Sequence, residues 1–105
     1  MSRREKLEAL LAEDPTDTFL QYGVAMEFRS EGNLAVAEER FETLLASSPD
    51  YVPAYFRLGE LFAEQDRQEE ARDVLTRGID TARRTGDLHA AGEMTEFLAG
   101  ISGAP

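Results

Sequence analysis

The sequence predicts an all-α fold, about six helices packed as a stack of antiparallel hairpins. The first observation behind this is an internal echo. Sliding the chain by 34 positions lays Pro15 on Pro49, Tyr22 on Phe56, Val24 on Leu58, Ala25 on Gly59, Phe28 on Phe62, Ala37 on Ala71 and Phe41 on Leu75. A fixed period of this size marks a supersecondary unit repeated side by side. The second is that apolar residues recur at helical spacing, and no segment has the β-branched alternation of a strand. The third is punctuation: Asp-Pro, Gly-Asn, Ser-Ser-Pro-Asp and Gly-Asp separate the periodic segments.

Ser2 is placed to cap the first helix, on which Leu7, Leu10 and Leu11 form an apolar stripe. Asp14-Pro15 ends it, because the residue before proline is pushed out of the helical region. The second helix runs from about Thr16 to Glu31. It is apolar around much of its girth (Phe19, Leu20, Tyr22, Val24, Ala25, Met26, Phe28), which predicts packing on two sides. Gly32 suits the left-handed stop, and Asn33 is placed to cap the third helix. That helix, roughly Leu34 to Ser47, buries Leu34, Ala37, Phe41, Leu44 and Leu45, and turns Glu38, Glu39, Arg40 and Glu42 mostly to solvent. The fourth, about Tyr51 to Gln65, repeats the character of the second and carries Pro53 in its first turn, where a missing N–H costs little. Asp66-Arg67-Gln68 makes a turn without glycine. The fifth runs roughly from Gln68 to Arg84, with Ala71, Val74, Leu75 and Ile79 inward. After Gly86-Asp87, the last runs from about Leu88 to Ala99 with Leu88, Ala91, Met94 and Leu98 on one face. The tail from Gly100 is expected to fray.

Composition narrows the function. A chain of 105 residues suits one domain with a modest core. Its net charge of −10 argues against nucleic acid and against anionic lipid, both of which call for a basic surface. Lys6 is the only Lys beside ten Arg, so the surface is rich in Asp and Glu and almost without Lys. Two readings fit: a salt-rich cytoplasm that screens the self-repulsion, or an ordinary acidic protein of an Arg- and Ala-rich proteome. There is no Cys, hence no disulfide or thiolate chemistry. No apolar run approaches the roughly 18 residues of a membrane span, and the Arg pair near the start has no apolar stretch behind it. A cytoplasmic location is the expectation.

The residues that recur at 34 resemble the tetratricopeptide repeat, and the chain is similar to small bacterial members of that family. The motif places a small residue in the first helix of a hairpin and an aromatic three residues on. A turn glycine, a small residue and an aromatic in the second helix, and a closing proline complete it. The first repeat supplies Ala25, Phe28, Gly32, Ala37, Phe41 and Pro49; the second supplies Gly59, Phe62, Asp66, Ala71 and Leu75. Gln21 stands where the family often has Trp, with Tyr55 in the second repeat, and Arg83 stands where a third Pro would fall. The resemblance implies a right-handed superhelical stack. It divides the chain into an N-terminal half repeat (1–14), repeat one (18–51), repeat two (52–85) and a cap helix with its tail (86–105). It also makes Gly23 and Gly59 helix-packing glycines.

No catalytic constellation is apparent, and the chain is expected not to be an enzyme. His89 is the single His, so a His-ligated metal is excluded and an acid–base His would work alone. Glu38-Glu39, Glu69-Glu70 and Glu93 with Glu96 are the imaginable acid pairs, but they fall on solvated helix faces rather than in a pocket. No phosphate, dinucleotide or calcium motif is present, and no cofactor or metal is expected. The resemblance implies instead a concave groove, lined by the first helix of each hairpin, that takes a peptide or a partner's helix. Its residues would be Phe19, Tyr22, Met26 and Arg29 from repeat one, and Phe56, Arg57 and Glu60 from repeat two, with Tyr22 and Phe56 as neighbours. Relatives that grip a chaperone's C-terminal carboxylate use Lys and Asn at sites that here hold Tyr22, Met26, Arg57, Asp87 and Ala91, so no such ligand is expected. The groove reads as an aromatic anchor pocket rimmed by Arg29, Arg57 and Glu60. Against this stands a reading in which Phe19, Tyr22 and Phe56 are covered by the first helix or the cap. A partner protein or peptide is expected, with the chain a monomer or weak homodimer. The alternatives are a self-association module and an accessory piece of a longer array.

Overall fold

The computed structural model describes residues 1–101, and among them there are six helices and no strand. They run α1 Arg3–Glu13, α2 Thr18–Ser30, α3 Leu34–Ser47, α4 Val52–Glu64, α5 Gln68–Thr85 and α6 Leu88–Ile101. The chain divides into two compact units, Met1–Pro49 and Asp50–Pro105.

In the first unit, α1 starts on a capping box. The Glu5 N–H donates to Ser2 Oγ at 3.1 Å, and the Ser2 N–H donates to Glu5 Oε1 at 2.9 Å. Hydrogen bonding of the Glu5 carboxyl by Ser2, through its backbone N–H first and its hydroxyl second, holds that carboxyl below its ordinary pKa. Helix α2 starts on Asp17, whose Oδ1 accepts from the Leu20 N–H at 3.0 Å. It packs on α1 and on α3, as its girth of apolar residues predicted, and buries Val24 and Ala25 completely. Across from them α3 buries Ala37, Phe41, Leu44 and Leu45. Phe28 is half-buried. The Arg4 guanidinium lies 4.7 Å from its ring centre and that of Arg40 5.5 Å, and Arg4 also binds Glu8 and Glu31.

Two expectations are corrected here. Leu10 is 50% exposed, so the stripe of α1 reduces to the half-buried Leu7 and Leu11. And Asn33 makes no side-chain cap. Its backbone N–H goes instead to the Phe28 carbonyl at 2.9 Å, while the Gly32 N–H goes to Arg29 O at 3.0 Å. This paired closure satisfies two end carbonyls of α2, with Gly32 at φ 83°.

The second unit repeats that closure. The Arg67 N–H donates to Phe62 O at 2.9 Å and the Asp66 N–H to Ala63 O at 3.1 Å, with Asp66 at φ 59° where the first unit has Gly32. Helices α4 and α5 touch at Gly59, where an added Cβ would lie 2.5 Å from Leu75 Cδ2. Phe62 is buried, with the Arg67 guanidinium 4.5 Å from its ring centre. By contrast, a Cβ at Gly23 would sit 3.4 Å from Leu7 Cδ1, an ordinary contact, so close packing does not require glycine there. Helix α5 packs on both α4 and α6. At its centre Gly78 is enclosed: a Cβ would meet Tyr55 Cβ at 2.5 Å and Met94 Sδ at 2.8 Å. Arg84, near the end of α5, pairs with Asp50 just before α4, and that hydrogen bond holds the Asp50 carboxyl below its ordinary pKa. Asp87 Oδ1 caps α6 by accepting from the Ala90 N–H at 3.1 Å.

On α6, Ala91 and Met94 are buried as expected, but Leu88, in the first turn, is 71% exposed. The helix also outlasts the expected boundary, carrying Gly100 and Ile101. The rest of the expected fraying tail, 102–105, lies outside the described residues.

Candidate functional site

The expected binding residues fall on α2 and α4, the first helix of each hairpin. On α2, Phe19 is 71% exposed. Tyr22 is half-buried and meets Phe41 of α3 edge-on, with ring centres 6.1 Å apart and planes at 61°. Met26 and Arg29 are half-buried, and Arg29 sits in the last turn, where a cation complements the helix dipole.

On α4, Phe56 meets Phe97 of α6 edge-on, at 5.7 Å and 67°. The Arg57 guanidinium lies 5.2 Å from the Phe56 ring centre and donates to Glu60 at 2.9 Å. Beside them α4 and α6 border an open cavity of about 220 Å³. Val52, Phe56 and Ala90 give it apolar walls; Arg57, Asp87, His89 and Glu93 add charge and hydrogen-bonding groups.

Phe19 is uncovered. Tyr22 and Phe56 are each half-buried, Tyr22 against Phe41 and Phe56 against Phe97 of α6. Phe97 is absent from the sequence-based expectations, though it falls three residues after Met94, at the helical spacing that puts it on the inner side of α6.

His89 is exposed, with Nε2 3.4 Å from Glu93 Oε1. Of the imagined acid pairs, Glu39, Glu69, Glu70, Glu93 and Glu96 are exposed and Glu38 is half-buried. Glu70 accepts from Arg67, which holds its carboxyl below the ordinary pKa. Such a carboxylate is a poor general acid near neutral pH. Among the described residues no group of three His, Asp or Glu is placed to hold a metal ion, and no helix is long and apolar enough to cross a membrane.

Helix hairpins closed by matching turns 34 residues apart define a helical-repeat protein. The family model of the tetratricopeptide repeat matches residues 22–87, and the chain belongs to that family. It is 29% identical over 94 residues to the TPR repeat-containing protein PA0015 of Pseudomonas aeruginosa, covering 90% of each chain. Among solved structures it is similar to a tetratricopeptide repeat domain protein from Salinibacter ruber, at 34% identity and a TM-score of 0.83, over 88% of this chain and 93% of that one. The fold is also that of protein BPP2914 from Bordetella parapertussis, at 24% identity and a TM-score of 0.85, over 97% of this chain and 89% of that one. It is shared as well by the Yersinia enterocolitica type III secretion translocator chaperone SycD, at 14% identity and a TM-score of 0.82, over 93% and 68%. Tetratricopeptide repeats generally serve as non-enzymatic scaffolds for protein–protein interaction.

Proposed function

We propose that this chain is an adaptor that binds a peptide or a partner's helix on the first-helix faces of its hairpins and performs no chemistry. Phe19, Tyr22, Met26 and Arg29 form the face offered by the first unit, and Phe56, Arg57 and Glu60 that of the second. The observation that carries the reading is the cavity beside Phe56. At about 220 Å³ it is smaller than the roughly 300–1,000 Å³ of small-molecule sites. It suits a single anchoring side chain, and buried anchors dominate the energetics of interfaces. The net charge of −10 favours a cationic partner, with association slowed by salt. The division into repeats at 18–51 and 52–85, with a half repeat before and a cap after, and a cytoplasmic location belong to the same proposal.

A peptide selected from a displayed random library against the full chain tests this. Its amide-shift map should centre on Val52, Phe56, Arg57 and Ala90, and Phe56→Ala should weaken binding at least tenfold while the variant still folds. Shifts confined to the outer, charged faces of α3 and α5 refute the placement.

Self-association is a second reading, favoured by the exposed Leu88 beside Gly92 and Ala99. Light scattering at rising concentration separates the two, since a constant monomer mass removes it.

A further inference from the structure

One face of α6 meets no helix among the described residues. Thirty-four positions before Leu88, Gly92 and Thr95 stand Ala54, Leu58 and Leu61, all buried on α4, the helix that packs on α5. On α6 the same three positions are exposed, and with Arg83 and Ala99 they line an open groove of about 470 Å³. We infer that this face pairs with its own copy in a second chain, α6 antiparallel to α6, in a two-fold dimer. The inference gives a geometry to the self-association read above and rests on it. The α2 and α4 faces take no part, so a dimer leaves them open to a partner.

The residue types along the face are self-complementary. Leu88, Gly92, Thr95 and Ala99 follow at steps of four, three and four, which lays them in one stripe along the helix. A two-fold axis passing between Glu93 and Met94 sets Leu88 on Ala99 of the second copy and Gly92 on Thr95 of the second copy. The exposed large side chain thus meets a small one at each end, and two small ones meet in the middle, where the helices come closest. Thr95 brings no unmet polar demand, because its hydroxyl donates to the Ala91 carbonyl at 2.8 Å. Gly92 is otherwise unexplained. Glycine weakens the middle of a helix, and a Cβ there would touch nothing within its own chain. A second helix crossing at that point gives the bare backbone a use.

Charge selects the same pairing. Arg83 and Glu96 line the groove, both are exposed, and neither side chain has an ion-pair partner among the described residues. The axis that sets Leu88 on Ala99 also sets Glu96 of the second copy on Ala91, beside Arg83. Symmetry repeats the opposite-charge contact at the other end, so each pair is counted twice and fixes the antiparallel sense.

Sedimentation equilibrium of the full chain, carried to about 1 mM, should show monomer and dimer exchanging. Arg83→Glu or Glu96→Arg alone puts like charges together at both ends and should weaken the dimer about tenfold in low salt, and the two changes combined should restore it. Gly92→Leu should also weaken it about tenfold while the circular dichroism spectrum is kept, since the single chain has room for the side chain. The chain has no Cys, so Leu88→Cys and Ala99→Cys chains can be mixed and oxidised, and the mixed disulfide should exceed either self-linked product. A constant monomer mass throughout removes self-association and this dimer with it. A dimer indifferent to the charge reversals, or not restored by combining them, overturns the geometry while self-association stands.

Discussion

Gly78→Ala should destabilise the second unit even though alanine is the better helix former. Gly78 lies in the interior of α5, so the propensity gain of alanine is about 0.5–1 kcal/mol. Against it, the new Cβ would sit 2.5 Å from Tyr55 Cβ and 2.8 Å from Met94 Sδ. Carbon atoms prefer about 3.5–4.0 Å, so the first contact is about 1 Å too close. Met94 can swing its thioether aside, but Tyr55 Cβ is fixed to the backbone of α4 and no rotamer removes it. Helices α4 and α5 must part, and overpacking of this kind costs about 1–3 kcal/mol. The net expectation is a loss of about 1–2 kcal/mol. Gly92→Ala is the internal control. It lies in mid-helix at an exposed position of α6 with nothing within 4 Å of the new Cβ, so it should gain about 0.5–1 kcal/mol. For a domain of this size the two variants should melt about 10–20 °C apart. Urea titrations followed by circular dichroism, with midpoint and slope fitted separately, measure the difference directly. If Gly78→Ala matches or exceeds the parent, the Tyr55–Gly78 contact is not tight and the reasoning fails.

Three further outcomes rest on the same geometry. Asp66→Gly should stabilise by about 0.5–1 kcal/mol, since Asp66 holds φ 59° in a closure that Gly32 makes without strain; an unchanged urea midpoint contradicts it. Asp17→Ala should cost about 1 kcal/mol through loss of the bond to the Leu20 N–H, whereas Asn33→Ala should be close to neutral, because Asn33 makes no side-chain cap. Equal midpoints for the two variants would count against this assignment of caps. For pH, Arg84 lowers the folded pKa of Asp50, so the pair's stabilisation is present above the unfolded value and fades as pH falls through the depressed folded value. Asp50→Asn should therefore flatten the acid limb of melting temperature against pH below about pH 4, and an unaltered limb would show the pair contributes nothing.

The helices and their order were legible because apolar periodicity and Gly/Pro punctuation are local properties. Ala25, Phe28, Gly32, Ala37 and Phe41 recur at 34 residues, and the hairpins follow from them. The features that escaped depend on partners. Gly78 looks like any helix-weakening glycine until Tyr55 and Met94 are brought to it from two other helices. Leu10 and Leu88 belong to apolar patterns, yet α1 and α6 use only part of that pattern, and the remainder is left in solvent. Asn33 is a good capping residue by type, but its backbone is committed to closing α2 and its side chain makes no cap. The candidate site divides in the same way. The sequence placed Phe56, Arg57 and Glu60 together on α4, while the cavity beside them depends on α6, whose Phe97 and Ala90 the repeat pattern does not reach.

The exchange of Gln21 and Leu44 in one hairpin for Tyr55 and Gly78 in the other bears on how such a chain can evolve. In the second hairpin a ring lies against a bare glycine; in the first an amide and a leucine border one cavity. A recombination joining the first helix of repeat one to the second helix of repeat two would set Gln against Gly and leave a void. The reciprocal product would force Tyr onto Leu. Either hybrid inherits a mismatch that neither parent carries, so the two positions are epistatic, and the smallest segment that can be duplicated or shuffled without damage is the whole hairpin.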